Sequence, residues 1–353
     1  MFALQFKNVA LDAHAIQLPE YEVTSAEIED RLAPLYERLN IPFGTLEKLS
    51  GVKTRRFWDT SVLPSQAAIP AVREVLESMT VPRESIGAIV NCSVTRDFFE
   101  PGTSTIIHRE LELGETVQAF DITNACIGFS NGIQMLGLMI EQGAIEAGIV
   151  VSAENIACII ESSIRYLLEN EQLSREEVIK LLPTFTLGCG AAAAIVTRSD
   201  LSAHPHKIVG CTSRSASQHS NLCQGNADFH LARENGLNPI MHTESGDLIV
   251  EASRLGKRMW SDFHQTFHWN REEINHIFCH QVGKQVNRAF YAEMGLDMEK
   301  EFTTYQRYGN LVSASLPAAF FTGVKEKGIK AKEKVLLTAF GSGLNSIFMG
   351  IEW

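Results

Sequence analysis

The chain has 353 residues, 45% hydrophobic and 21% charged, which is the composition of a globular protein with a sizeable core. Its formal net charge of −11 argues against a nucleic-acid or anionic-membrane surface, because the long-range field repels either partner, but leaves room for a local basic patch on one phosphorylated ligand. Seven scattered cysteines without a C-x-x-C pair fit neither a disulfide framework nor a zinc site, so a reducing compartment and no bound metal are expected.

The opening residues, MFALQFKNVALDAHAIQL, alternate as a strand does and lack the layout of a signal peptide. No apolar run approaches the roughly 18 residues of a spanning helix, so a soluble, cytoplasmic protein with no integral membrane segment is expected. Thr24-Ser25-Ala26-Glu27 reads as a capping box opening a helix over 24–39, kinked at Pro34. After a helix over 65–79 the types alternate: strand 86–94, helix 101–113, strand 117–122, helix 126–142 stopped by Gly143, and strand 147–153. Residues 161–182 read as a charged helical insertion over the core. Strand 191–197 follows, and then 199–244 is polar with few periodic signals. Alternation resumes with helix 248–267, strand 275–280, helices 284–294 and 313–327, and strands 334–339 and 345–353.

This order predicts an α/β fold around a core sheet. Gly188-Cys189-Gly190 before AAAAIV echoes Gly341-Ser342-Gly343 before LNSIFM. A G-x-G turn is a weak signal alone, but two at corresponding points suggest a duplicated unit. The halves are expected at 1–200 and 201–353, with the insertion at about 155–185.

Three residues stand out chemically. Cys126 lies where a buried strand turns into a glycine-bearing helix, and a helix N-terminus favours thiolate and lowers a thiol pKa. Its position alone serves a nucleophile and a structural core cysteine equally. His280 ends an apolar strand, and Asn310 sits in a loop before a small-residue helix. Together they are the parts of acyl transfer: nucleophile, proton carrier and neutral hydrogen-bond donor. Separately, His280 reads as a core histidine and Asn310 as an N-cap.

The stretches DITNACIGF around Cys126, HQVGKQVNRAF from His280, YGNLVSASLPAAF around Asn310 and the turn FGSGLNSIFMG resemble the ketoacyl synthase III branch of the thiolase superfamily. NCSVTRDFFEPGTS, with TSAEIEDRL and GVKTRRFWD, is most similar to the OleA type, which condenses two acyl-CoAs head to head. The resemblance implies a duplicated five-layered αβαβα fold and an acyltransferase that passes through an S-acyl-Cys126 intermediate. It also implies an oxyanion hole from the backbone N–H groups of Cys126 and Ser342, and CoA thioesters as substrates with no further cofactor. A glutamate at the position of Glu100 acts in that type as a base in the neighbouring subunit, so a homodimer follows. A solvated loop carboxylate is the alternative reading of Glu100. After His280 the sequence departs from the fatty-acid-synthesis members, with Val282, Gly283 and Gln285 where they carry an Ala-Asn pair and a docking arginine. An acyl-carrier protein is therefore the less favoured donor, although Lys284 and Arg288 lie nearby. A decarboxylating synthase using a malonyl thioester, a non-catalytic family member and a cysteine hydrolase are the competing readings.

Overall fold

The computed structural model describes residues 2–225 and 240–353. Residues 226–239, part of the polar stretch, lie outside the described residues. Ten strands form one mixed sheet, in the spatial order Ile274–Cys279, Lys334–Gly341, Asn345–Glu352, His206–Ser215, Val9–Gln17, Gly190–Arg198, Ala147–Glu154, Ile86–Asn91 and Gln118–Asp121; Phe2–Gln5 also pairs with His206–Ser215.

The pairing pattern occurs twice. Val9–Gln17, Gly190–Arg198, Ala147–Glu154 and Ile86–Asn91 are joined antiparallel, antiparallel and parallel. His206–Ser215, Asn345–Glu352, Lys334–Gly341 and Ile274–Cys279 are joined in the same sequence of senses. A fifth strand, Gln118–Asp121, flanks the first set, whereas at the corresponding edge of the second, among the described residues, a bridge between Ile277 and Glu301 stands in its place.

Side-chain alternation on these strands builds three apolar layers. Ala13, Ile89, Ile149 and Ala193 pack beneath Ala68, Val72 and Val75 of the helix Pro64–Ser78. The opposite faces of both sets, including Val90, Val150, Phe278 and Leu337, share one central cluster with the helices Gly128–Glu141 and Ser315–Lys327. Ile277, Cys279 and Leu336 then meet the helices Ser245–Phe267 and Lys284–Met294 on the outer side. Helices, the first strand set, helices, the second strand set and helices make five layers. Ala147–Glu154 is buried along its whole length, as a strand covered on both faces must be.

The expected capping box is present at Thr24, but the helix breaks at Leu32 into Ser25–Arg31 and Ala33–Arg38, with Pro34 in the first turn of the second piece, where a missing N–H costs nothing. The segment read as an insertion contains Ala157–Glu169 and Arg175–Leu181, which pack with the N-terminal helices in a separate cluster. The strand His206–Ser215 falls where the sequence predicted no element. Among the described residues no helix is long and apolar enough to cross a membrane.

Candidate active site

In both sets, the parallel strands end on the same cavity. It measures about 400 Å³ and is lined by Cys126, His280, Asn310, Gly341 and Ser342, with Ile156, Ile159, Leu187, Met241, Leu248 and Phe290 supplying apolar wall. Ile156 and Ile159 come from the inserted segment, so that segment shapes the cavity as well as covering the core. Three of the four side chains singled out from the sequence thus meet in one chamber. Glu100 does not join them.

Cys126 follows the strand Gln118–Asp121, but the helix begins only at Gly128, with Ile127 as its N-cap. This corrects the expectation of a thiol stabilised as thiolate by a helix N-terminus: Cys126 sits two residues short of the helix, and burial pushes its thiol above the ordinary range, with the nearby Cys223 and Glu154 adding to the effect. Cys126 is thus held as the protonated thiol. His280 lines the same cavity. The ring is 3% exposed, its pKa is lowered by burial to about 4, and it is therefore neutral at physiological pH. Its backbone N–H donates to Thr338 O at 2.9 Å, holding it at the end of its strand.

Asn310 is fixed from both sides. Its backbone N–H donates to Thr186 O at 2.9 Å, and its carbonyl accepts from Gly188 N at 2.9 Å. Its side-chain Oδ1 accepts from Val312 N at 2.9 Å, which leaves the Nδ2 amine as the end available for a ligand oxygen. Gly188 can lie so close because it has no side chain: a Cβ there would stand 2.3 Å from Tyr308 O. The other glycine-defined contact is at Gly341, whose Cβ would stand 3.3 Å from the nitrogens of both Cys126 and Ile127. The Gly341–Gly343 turn therefore rests on the backbone of Cys126, and Ser342 N and Cys126 N belong to one corner of the cavity.

Side-chain-bearing residues in left-handed conformations surround this corner: Ala125 at φ 45°, Val312 at φ 54° and Leu344 at φ 49°. Such geometry costs on the order of 1–3 kcal/mol per residue and is unusual for β-branched valine. The three flank Cys126, Asn310 and the Gly341–Gly343 turn.

Glu100 is exposed and outside its own chain's cavity. The segment that carries it is pinned at its roots. Asp97 Oδ1 accepts from Ser65 N at 2.9 Å, and Thr103 N donates to Asp121 Oδ2 at 2.9 Å. Between them Phe98, Phe99 and Glu100 project outward, with Phe98 50% and Phe99 74% exposed. Arg55 is buried against Ser25 Oγ and Phe185 O, so it is an internal support. Cys189 is also buried, with Asn155 Oδ1 accepting from its thiol.

The arrangement disfavours a cysteine hydrolase. That chemistry orients its histidine with the Asn or Asp on the second ring nitrogen. Here His280 Nδ1 has no partner among the described residues, and Asn310 Oδ1 is taken by Val312. The sequence reading also missed Glu154, a fully buried carboxylate on the cavity wall. Its signal was a charge at the end of the otherwise apolar run AGIVVSAE.

A family model for the 3-oxoacyl-[acyl-carrier-protein (ACP)] synthase III C terminal matches residues 265–353. The acyl-CoA:acyl-CoA alkyltransferase of Xanthomonas campestris is 33% identical over 349 residues, 99% of each chain. The chain belongs to this family. Its counterpart in Shewanella oneidensis is 32% identical, covering 99% of this chain and all of the relative. Cerulenin-bound OleA of X. campestris superposes with a TM-score of 0.92 at 32% identity, over 99% of this chain and 98% of that one. A cysteine-to-serine variant of that OleA, with bound lauric acid and lauroyl-CoA, matches at 0.91 over 99% of this chain and 100% of that one. The fold is accordingly thiolase-like. The β-ketoacyl-[acyl-carrier-protein] synthase III of Aliarcobacter butzleri is more distant, at 26% over 306 residues, 85% of this chain and 86% of the relative.

Proposed function

We propose that the protein joins two acyl-CoA thioesters by a non-decarboxylating Claisen condensation, through an S-acyl intermediate on Cys126. The observation that carries this reading is the convergence of Cys126, neutral His280, the Asn310 amine and the Gly341–Gly343 turn on one apolar cavity. Full-length kinship to acyl-CoA:acyl-CoA alkyltransferases supports it.

In the first half-reaction His280 takes the Cys126 proton, the thiolate adds to the thioester carbonyl, and the oxyanion rests on Cys126 N and Ser342 N. The tetrahedral adduct expels CoA, and His280 returns the proton to the departing sulfur. In the second half-reaction another acyl-CoA places its thioester oxygen against His280 and the Asn310 amine. An α-proton beside a thioester is very weakly acidic, and no carboxylate departs to generate the carbanion, so a positioned base is required. Glu100 fills that role from a neighbouring copy of the chain, a reading supported by its outward projection on a pinned segment. The carbanion attacks the S-acyl carbon, Cys126 leaves as thiolate and regains a proton, and a β-ketoacyl-CoA results, which water converts to the β-keto acid and CoA. Two thiolase-like halves, 1–200 and 201–353, would then share the chemistry, the first carrying Cys126 and the second His280 and Asn310. The repeated strand pairing supports that division.

The test is incubation of the protein with a long-chain acyl-CoA alone, followed by mass spectrometry of protein and products. β-Keto acid or its decarboxylated ketone is expected, with no acylation in Cys126→Ala and acylation without condensation in Glu100→Gln. Ketone formed only when a malonyl thioester is added would assign the decarboxylating reaction instead.

A further inference from the structure

Glu154 ends the strand Ala147–Glu154, is fully buried, and reaches the wall of the cavity that holds Cys126 and Asn310. An isolated buried carboxylate is costly; five donors offset part of that cost, and burial still holds its pKa above the ordinary carboxylate range. Val94 N donates at 2.8 Å and Ser313 N at 3.4 Å to Oε1, while Thr95 N at 3.0 Å and Thr95 Oγ1 at 2.9 Å donate to Oε2. The Ser313 hydroxyl donates to Oε1 as well. With both oxygens saturated, Glu154 has no lone pair facing a substrate, so it is not a base for the condensation.

Its partners decide what it does. Ser313 follows Val312, whose left-handed backbone presents its N–H to Asn310 Oδ1 and so turns the Asn310 amine toward the cavity. Both Ser313 donors end on Glu154, which anchors that strained turn from the C-terminal side. The other donors, Val94 and Thr95, begin the segment that leads through Asp97 to Glu100. One carboxylate from the first half of the sequence therefore ties together the loop bearing Asn310 and the root of the segment bearing Glu100.

We infer that Glu154 is a positioning residue for the condensation half-reaction: it holds the Asn310 amine, and the root of the Glu100 segment, in the register that receives the second acyl-CoA. This inference rests on the function proposed above. It separates the two halves of the reaction: Cys126 acylation uses His280 and the Cys126–Ser342 corner, neither of which Glu154 bonds, and its charge acts on Cys126 only by raising the thiol pKa, so its removal does not slow acylation.

The experiment measures the two steps apart, as S-acyl-enzyme formation by quenched-flow mass spectrometry and as β-keto product formed per acylated site. In Glu154→Gln the incoming amine must face an N–H donor on either side. Acylation should stay within about threefold of wild type, while condensation falls by roughly 30-fold or more, the scale of a loss of alignment of an ångström or less. Ser313→Ala should show the same selectivity to a smaller degree, and the double variant should lose little beyond Glu154→Gln alone, since both act through one contact. Equal loss of acylation and condensation in a folded variant, or losses that multiply independently, would overturn the inference. Should Glu154→Gln not fold, the step selectivity of Ser313→Ala decides on its own. Wild-type protein distinguishes the two levels: if it condenses and the variants lose both steps alike, only this inference fails. A wild type that does not condense removes the underlying reading and this inference with it.

Discussion

Gly341→Ala is a one-carbon perturbation whose consequence can be worked from distances. The added Cβ would lie 3.3 Å from Cys126 N, 3.3 Å from Ile127 N and 3.2 Å from Ile127 Cγ2. A tetrahedral oxyanion needs its donors at about 2.7–3.1 Å, so methyl and oxyanion compete for the space in front of the Cys126 N–H. Relieving the contact in the empty protein takes a shift of a few tenths of an ångström. That places the folding cost at the low end of overpacking, about 1 kcal/mol, and the variant should fold. Losing one oxyanion donor costs about 3–4 kcal/mol in the transition state, a fall of roughly 10²–10³ in the acylation rate. The assay is the single-turnover mass shift of Cys126 with saturating acyl-CoA, alongside a thermal melt. A folded Gly341→Ala protein that acylates within about threefold of wild type would refute the assignment of this corner as the oxyanion site.

Two further expectations concern pH. Burial holds His280 at about 4, and burial together with His206 holds His14 at about 4, both below the ordinary 6.5. The unfolded chain therefore takes up protons that the folded chain refuses. Stability should be full above pH 6.5 and decline towards pH 4, by about 2 kcal/mol per histidine at pH 5, as read from denaturant midpoints at pH 7.5 and 5.0; His14→Phe should lessen the decline. Glu301 has the opposite sign: burial raises it to about 8 against hydrogen bonds from Tyr291 and Asn287, so the folded state keeps a proton the unfolded state releases, and stability falls as pH rises from 4.5 to 8. Glu301→Gln should raise the melting temperature by roughly 2 °C or more at pH 8.5 and leave it unimproved at pH 4.5. Equal effects at both values would show that the proton is not what matters there.

Most of the longer helices and the inner strands were legible because burial leaves a pattern in the sequence: Pro64–Ser78, Lys284–Met294 and Ala147–Glu154 fell close to their predicted bounds, whereas the short helix Thr45–Ser50 and the strands Tyr21–Thr24 and Thr54–Phe57 were not predicted. His206–Ser215 was not legible. Its run HKIVGCTSRS interrupts the apolar pattern with Thr212 and Arg214; Arg214 is neutralised by Asp262 of a distant helix, a partner the local sequence cannot display. The same limit applied within the site. Cys126, His280 and Asn310 announced themselves by residue type beside a turn. Glu154 and Ser313, 159 positions apart, acquire their relation only through the fold. The depressed thiol pKa expected for Cys126 failed for a related reason: strand and helix were visible, but not the two-residue gap between Cys126 and Gly128 nor the depth of the cavity.

Ala125, Val312 and Leu344 carry a cost that glycine in their places would not, because glycine adopts positive φ freely. At Ala125, where only a methyl is lost, relief of that strain matches or exceeds the extra chain entropy glycine brings to the unfolded state, whereas at Leu344, 2% exposed in the outer core, the lost packing outweighs it. A screen scoring thermal survival alone would therefore be drawn to the rim of the catalytic cavity, and its winners would be the variants whose cavity wall had gone slack. Engineering this enzyme for heat resistance should begin far from these three residues, at the outer helices, where added rigidity and the reaction do not compete.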